Sequence, residues 1–190
     1  TGAVGDKPKT EMFPWFFFPL LTPANNHPIV NNLNALKGEF VSTIDTIAKK
    51  GIRKTELLKT SKYSKVSSAP TRISLEIVRF EPDQTQFNKG RQLTAVLLEG
   101  KFESVFKNRL TPQIKDANEI SFKSESVPNK MVVISDGDVA KNHVNKRTGE
   151  YLSLGFDRFT RQEFGNKDFM LNVIGYLCDD SGLMRVRSKK

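Results

Sequence analysis

Apolar residues fall into a few dense runs and stripes separated by long polar stretches, and the period of each predicts an element. Leu93–Gly100, LTAVLLEG, is a continuous apolar run of strand length, and KMVVI at 130–134 is a second. Runs without alternation predict central strands covered on both faces. Residues 72–80, RISLEIVRF, instead alternate Ile73, Leu75 and Ile77 with Ser74 and Glu76, the period of a half-buried strand. The ten residues 12–21, MFPWFFFPLL, contain Pro14 and Pro19, which would break a helix interior. They predict a short strand or extended segment buried on both sides.

Two stripes have helical spacing. Pro28 suits a first helical turn, and Ile29, Leu33, Leu36 and Phe40 follow it, with His27 capping the entry. Near the end of the chain, Asn166 reads as an N-cap before Phe169, Met170, Val173, Ile174 and Leu177, with Ser181 and Gly182 closing the helix. Phe102, Ser104 and Phe106 suggest a strand continuing past a bend at Gly100, and residues 113–119 a short helix. Residues 142–150 read as a loop and 151–164 as irregular. Buried strands interspersed with amphipathic helices indicate an α/β fold, layered around a mixed or mostly parallel sheet flanked by helices.

Composition adds limits. At 190 residues, 37% hydrophobic and 27% charged, the chain suits one folded domain, taken as 1–190. The longest dense apolar run, ten residues, falls short of the roughly 20 that a membrane helix needs. The sequence begins at Thr1 without a leader pattern, so it reads as a processed product or an excised part. The single cysteine, Cys178, excludes an intramolecular disulfide and a multi-cysteine zinc site, and its place just after the helical stripe predicts a small buried hydrophobe.

Charge comes next. Lys and Arg number 30 against 21 acidic residues, a net +9. Residues 49–65 carry seven of the basic residues against Glu56 alone, then run into SKVSSAP, so 49–71 reads as a basic, Ser-rich loop pinned by Leu57 and Leu58. Tyr63 is the one aromatic ring among those charges, too few stacking platforms for nucleic acid, which is not an expected partner.

The sharpest chemical candidate is KMVVISDGDVAKN at 130–142, a buried strand running into Asp136-Gly137-Asp138. A hydrophobic strand followed by Asp-x-Asp is how haloacid-dehalogenase-like phosphatases place a nucleophile and a general acid beside magnesium. A metal-dependent hydrolase using Asp136 and Asp138 is therefore the alternative reading. Its companion Ser or Thr, Lys and further acidic pair find no place in the 52 residues that follow Asp138. The preferred reading is a strand-terminal Asx turn, with Gly137 supplying a positive φ. Ligands of open α/β sheets gather beyond the carboxyl ends of strands, so Asp136, Gly137, Asp138 and Asn142 remain the candidate binding or partner-contact residues. No catalytic residue, metal ligand set or cofactor is expected: His27 and His143 stand alone, and no GxxxxGK[ST] or GxGxxG phosphate cradle is present.

Five phrases in order, PWFFFPLL (14–21), HPIVNNLNALKGEFVSTID (27–45), LLEGKFESVFKNRL (97–110), KMVVISDGDVAKN (130–142) and GNKDFMLNVIGYLCDDSGLMRVRSKK (165–190), resemble the GldG family. These are gliding-motility-associated auxiliary subunits of ABC transporters in Bacteroidetes. The resemblance implies a fold similar to class I glutamine amidotransferases and flavodoxin-like proteins, without glutaminase activity, since no nucleophile elbow or His-Glu pair is present. It implies a noncatalytic domain on the periplasmic side of the inner membrane, acting by protein or ligand binding, with an ABC permease and a separate ATPase as partners. The basic tail at 185–190, with Arg185, Arg187, Lys189 and Lys190, would then face an anionic membrane surface or a partner.

Overall fold

The computed structural model describes residues 2–4, 7–9, 13, 15–116 and 119–179. The basic tail with Arg185, Arg187, Lys189 and Lys190, and the Ser181-Gly182 helix stop, lie outside the described residues. Strands are β1 (Gly2–Val4), β2 (Lys7–Lys9), β3 (Leu20–Pro23), β4 (Leu36–Lys37), β5 (Ile52–Lys59), β6 (Leu93–Gly100), β7 (Asn129–Ile134), β8 (Phe156–Asp157) and β9 (Gln162–Glu163). Helices are α1 (Pro112–Lys115) and α2 (Asn166–Cys178), with short 3-10 turns at Leu75–Arg79, Gln84–Gln86 and Gly137–Ala140.

The main sheet has five strands in the order β4-β3-β5-β6-β7, and every pairing in it is antiparallel. This overturns the expected flavodoxin-like α/β layering around a mixed or mostly parallel sheet. Parallel neighbours need a crossover element on a sheet face, and the only α-helix beyond four residues, among those described, is α2. The expectation for β6 holds, since Leu93–Leu97 is buried continuously between β5 and β7. β7, expected to be central, lies at the sheet's edge with Met131 46% and Val133 38% exposed. Only Val132 and Ile134 of that apolar run turn to the core; an unbroken apolar run does not by itself say that both faces are covered.

The basic stretch 49–71, read as a loop, contains β5. Its apolar content is low, but Arg53 sits across from Glu99 on β6 and bonds it at 3.0 Å, so cross-strand charge pairing does the work expected of β-branched residues. Register shifts around Leu58 let the adjacent Leu57 and Leu58 both be fully buried. Gly100, at φ 149°, closes the far end of the pair. A Cβ there would lie 2.2 Å from the Gly51 carbonyl oxygen.

Three further expectations are corrected. Residues 28–40 form turns and β4 rather than a helix: the His27 carbonyl accepts the N–H groups of Val30 and Asn31, and His27 Nδ1 accepts that of Ile29 at 3.3 Å. Ile29 and Leu36 are buried as their spacing predicts, but through a folded-back chain. Residues 72–80 form an exposed 3-10 turn instead of a half-buried strand. Residues 15–19 are turns of half-buried rings, not a strand buried on both sides.

α2 packs Phe169, Val173 and Tyr176 into the core with Leu21, Leu36, Leu58, Leu97 and Val139. Ile174 is exposed and Tyr176 takes its expected place on the stripe. Cys178, expected to be buried, is exposed at the helix end. Among the described residues no helix is long and apolar enough to cross a membrane.

Candidate functional site

β7 delivers the chain to Ser135, whose hydroxyl donates to the Ser42 carbonyl at 2.6 Å, and then to Asp136. Asp136 is buried, and its two oxygens are both occupied: Oδ1 accepts the Asp138 N–H and Oδ2 the Glu39 N–H, each at 2.8 Å. The first bond caps the Gly137–Ala140 turn, the Asx geometry expected from the sequence. The second ties this turn to a segment 97 residues earlier. Gly38 permits the approach, since a Cβ there would fall 2.3 Å from Val41 Cγ2 and 3.3 Å from Asp136 Oδ2. Gly137 is not among the residues at positive φ, so its expected backbone role is not used.

Burial pushes the Asp136 carboxyl above its ordinary value; its two N–H bonds act against this, and the neighbouring charges of Asp138 and Glu39 add to it. Asp138 pairs with Lys141 at 3.0 Å, which raises the Lys141 ammonium's pKa. Asn142 donates from Nδ2 to the Leu152 carbonyl at 2.8 Å. The four candidate residues therefore lie together, but with different exposure. Asp136 is internal, Asp138 is half-buried, and Gly137 and Asn142 are at the surface.

Beside Asp136 runs a chain of opposite charges. Lys37 lies between Glu39 at 3.0 Å and Asp157 at 3.3 Å, with its ammonium 5.0 Å from the centroid of Phe18. Glu39 also approaches His143 Nε2 at 3.3 Å. Burial raises Asp157, but the Thr160 hydroxyl at 2.7 Å, the Lys37 charge and the N–H groups of Thr160 and Phe159 together hold its carboxyl below the usual range. Asn166 completes the frame. Expected as an N-cap, it lies instead just inside α2, behind Gly165. Its buried amide accepts the Lys37 N–H at 3.0 Å and donates to the carbonyls of Lys37 and Val139 at 2.9 and 3.2 Å.

This arrangement joins β4, the β7 turn, the β8–β9 hairpin and α2. A buried polar network with its bonds made favours one arrangement of the chain. Both Asp136 oxygens and the near oxygen of Asp138 are committed to groups of the chain, and the clefts of about 480 and 460 Å³ lie elsewhere, lined by Lys49, Gly100 and Glu103 and by Phe13, Arg79 and Phe80. Among the described residues no three His, Cys, Asp or Glu side chains converge as metal ligands would. Lys37, Glu39 and Asp157 escaped the sequence reading, and Asn166 reads there only as a cap, because the partners that join them lie far away in sequence, 120 positions for Lys37–Asp157 and 129 for Lys37–Asn166. No local motif announces such pairs.

A family model described as an ABC-type uncharacterized transport system matches residues 1–173. No curated protein and no solved structure matches the chain.

Proposed function

The chain belongs to the family of ABC-type uncharacterized transport systems, as an auxiliary component, and on that premise we propose that it is a noncatalytic domain working by contact with an ABC permease and its separate ATPase. The match over residues 1–173 is the observation that carries this reading. The finer assignment, a GldG-like subunit on the periplasmic side of the inner membrane in a motility or secretion system, is supported by the five phrases that run through the chain in family order.

The polar frame supports contact rather than chemistry. A nucleophilic carboxylate must be reached by substrate, whereas Asp136 is buried and each of its oxygens accepts a backbone N–H. In this reading Asp136 positions the turn, and Gly137, Asp138 and Asn142 present it to a partner. Transport energy comes from the separate ATPase, consistent with a chain that carries no Walker-type phosphate loop.

Isolation of the affinity-tagged full-length protein from its native membranes in mild detergent is expected to recover an ABC permease and its ATPase together. Recovery of the tagged protein with neither subunit contradicts the proposal.

A further inference from the structure

Fourteen Phe residues are present, and among the described residues Phe169 alone of them lies in the buried core. Many of the others build a surface. Trp15, Phe16, Phe17, Phe18, Phe40 and Phe87 form one continuous set of ring contacts, with centroids 5.1 to 6.2 Å apart. None of these rings is fully buried, and Phe40 is 50% exposed. Phe40 also has φ 56°, a costly conformation for a large side chain, and its N–H donates to the Phe17 carbonyl at 2.8 Å. Backbone strain that keeps a ring at the surface points to a use for that ring.

The second half of the surface comes from residues 60–92. β5 and β6 are hydrogen-bonded neighbours, yet the chain between them is far longer than the 2–5 residues that usually join such a pair. Its base is pinned: the Thr60 N–H donates to the Gln92 carbonyl, the Gln92 N–H to Thr60 Oγ1, and the Lys89 N–H to the Ser64 carbonyl, each at 2.9 Å. Above that base neither 3-10 turn has a buried residue, and Leu75 and Phe80 are 78% and 72% exposed. The excursion meets the aromatic set at Phe16–Phe87, and Phe13, itself 51% exposed, shares a cleft with Phe80 and Arg79.

Its charge is of one predominant sign. Residues 60–92 contain six basic and three acidic side chains. Lys65 reaches Oε1 of Gln86, the residue before Phe87, and Lys89 lies two residues after that ring. Of the three acidic residues, Asp83 is exposed but bonded to Thr85 and Gln86, which with the Lys65 charge depress its pKa; Glu81 lines the cleft beside Arg79, and Glu76 is exposed.

We propose that Phe13, residues 15–18, Phe40 and the 60–92 excursion together form a contact surface for an anionic lipid bilayer. Half-exposed aromatic rings fit the headgroup boundary, where one side is apolar and the other wet, and Lys and Arg beside them match anionic headgroups. Six basic side chains on a body of net charge +9 are attracted to such a surface and repelled by a basic partner. This surface adjoins the Asp136 frame, since Phe18 lies against the Lys37 ammonium and Phe40 follows Glu39. It stands or falls on lipid alone, whatever the isolation of transporter subunits returns.

Trp15 is the single tryptophan, so its emission reports on this face alone. The 190-residue chain is mixed with vesicles of phosphatidylcholine, with and without phosphatidylglycerol. Expected are co-sedimentation with the anionic vesicles, a blue shift of Trp15 emission, quenching by brominated acyl chains, and weakening of all three by salt. Phe40→Ser and Phe80→Ser, at exposed positions, should each lower the partition coefficient about tenfold with an unchanged circular dichroism spectrum. Lys65→Glu with Lys89→Glu should lower it on the anionic vesicles only. An unshifted Trp15 on both vesicles overturns the proposal, as does sedimentation with Trp15 unshifted, which places binding elsewhere. A shift that requires a membrane protein in the vesicle overturns it too, because the surface then recognises protein.

Discussion

Asp136→Ala is expected to unfold at lower denaturant than the wild type, with a loss of about 2–4 kcal/mol, because two partly buried N–H groups are left without acceptors. Those groups belong to Glu39 and Asp138, each 2.8 Å from a different carboxylate oxygen. One residue thus holds together two segments that are distant in sequence, and truncation releases both. Asp136→Asn retains one acceptor oxygen and places an NH2 toward the other N–H, so its loss should be about half as large. The two variants also differ from the wild type in their response to pH. Burial raises the Asp136 carboxyl in the folded state above its ordinary value of 3.8, so the protein gains from protonating this group. That gain is complete below 3.8 and is lost as pH rises through the higher folded value. The wild type's margin over Asp136→Asn should therefore narrow as pH rises through that window. Urea titrations at several pH values between acid and neutral check both the size and the direction.

Asn166→Ala is the second large effect, again about 2–4 kcal/mol, since the Lys37 N–H and the Lys37 and Val139 carbonyls lose their partner in a site where water has little access. Asn166→Asp separates hydrogen bonding from shape. Its carboxylate still accepts the Lys37 N–H, but it faces two carbonyl oxygens where Asn presents an NH2. This near-isosteric change should be at least as damaging as the truncation, because an acceptor opposed to acceptors and a buried charge are both unfavourable. A helix cap would behave in the opposite way, with Asp replacing Asn at little cost. Thermal unfolding of the two variants distinguishes an interior strut from a cap.

The contrast at Asn166 shows what the sequence conveys and what it does not. The start and content of α2 are legible because Phe169, Met170, Val173 and Leu177 repeat at helical spacing. The role of Asn166 is not, because it depends on β4 lying beside the helix terminus, 129 residues away in sequence. β6 is readable to its end residues, since Leu93–Leu97 is covered by neighbours on both sides. KMVVI has the same apolar look but occupies an edge, so direction and order of pairing stay hidden in a run that names only its own strand propensity. β5 is concealed by its own charges: Arg53 is matched by Glu99 on the neighbouring strand, and a count of charges within 49–65 sees only half of that pair. For the Asp136 turn the local half was legible, the Asx bond to the Asp138 N–H, while the bond to Glu39 was not. That second bond is what changes an apparent acid pair into a joint of the fold.

A phosphoester-hydrolysis assay with magnesium, run on the wild type and on Asp138→Asn, tests most directly whether this joint serves contact or chemistry. Asp138 is the member of the pair that lies near the surface, and its carboxylate meets Lys141 rather than the core, so its substitution should leave the fold intact. The account predicts no magnesium-dependent turnover from either protein. Turnover by the wild type that a folded Asp138→Asn variant loses would contradict it.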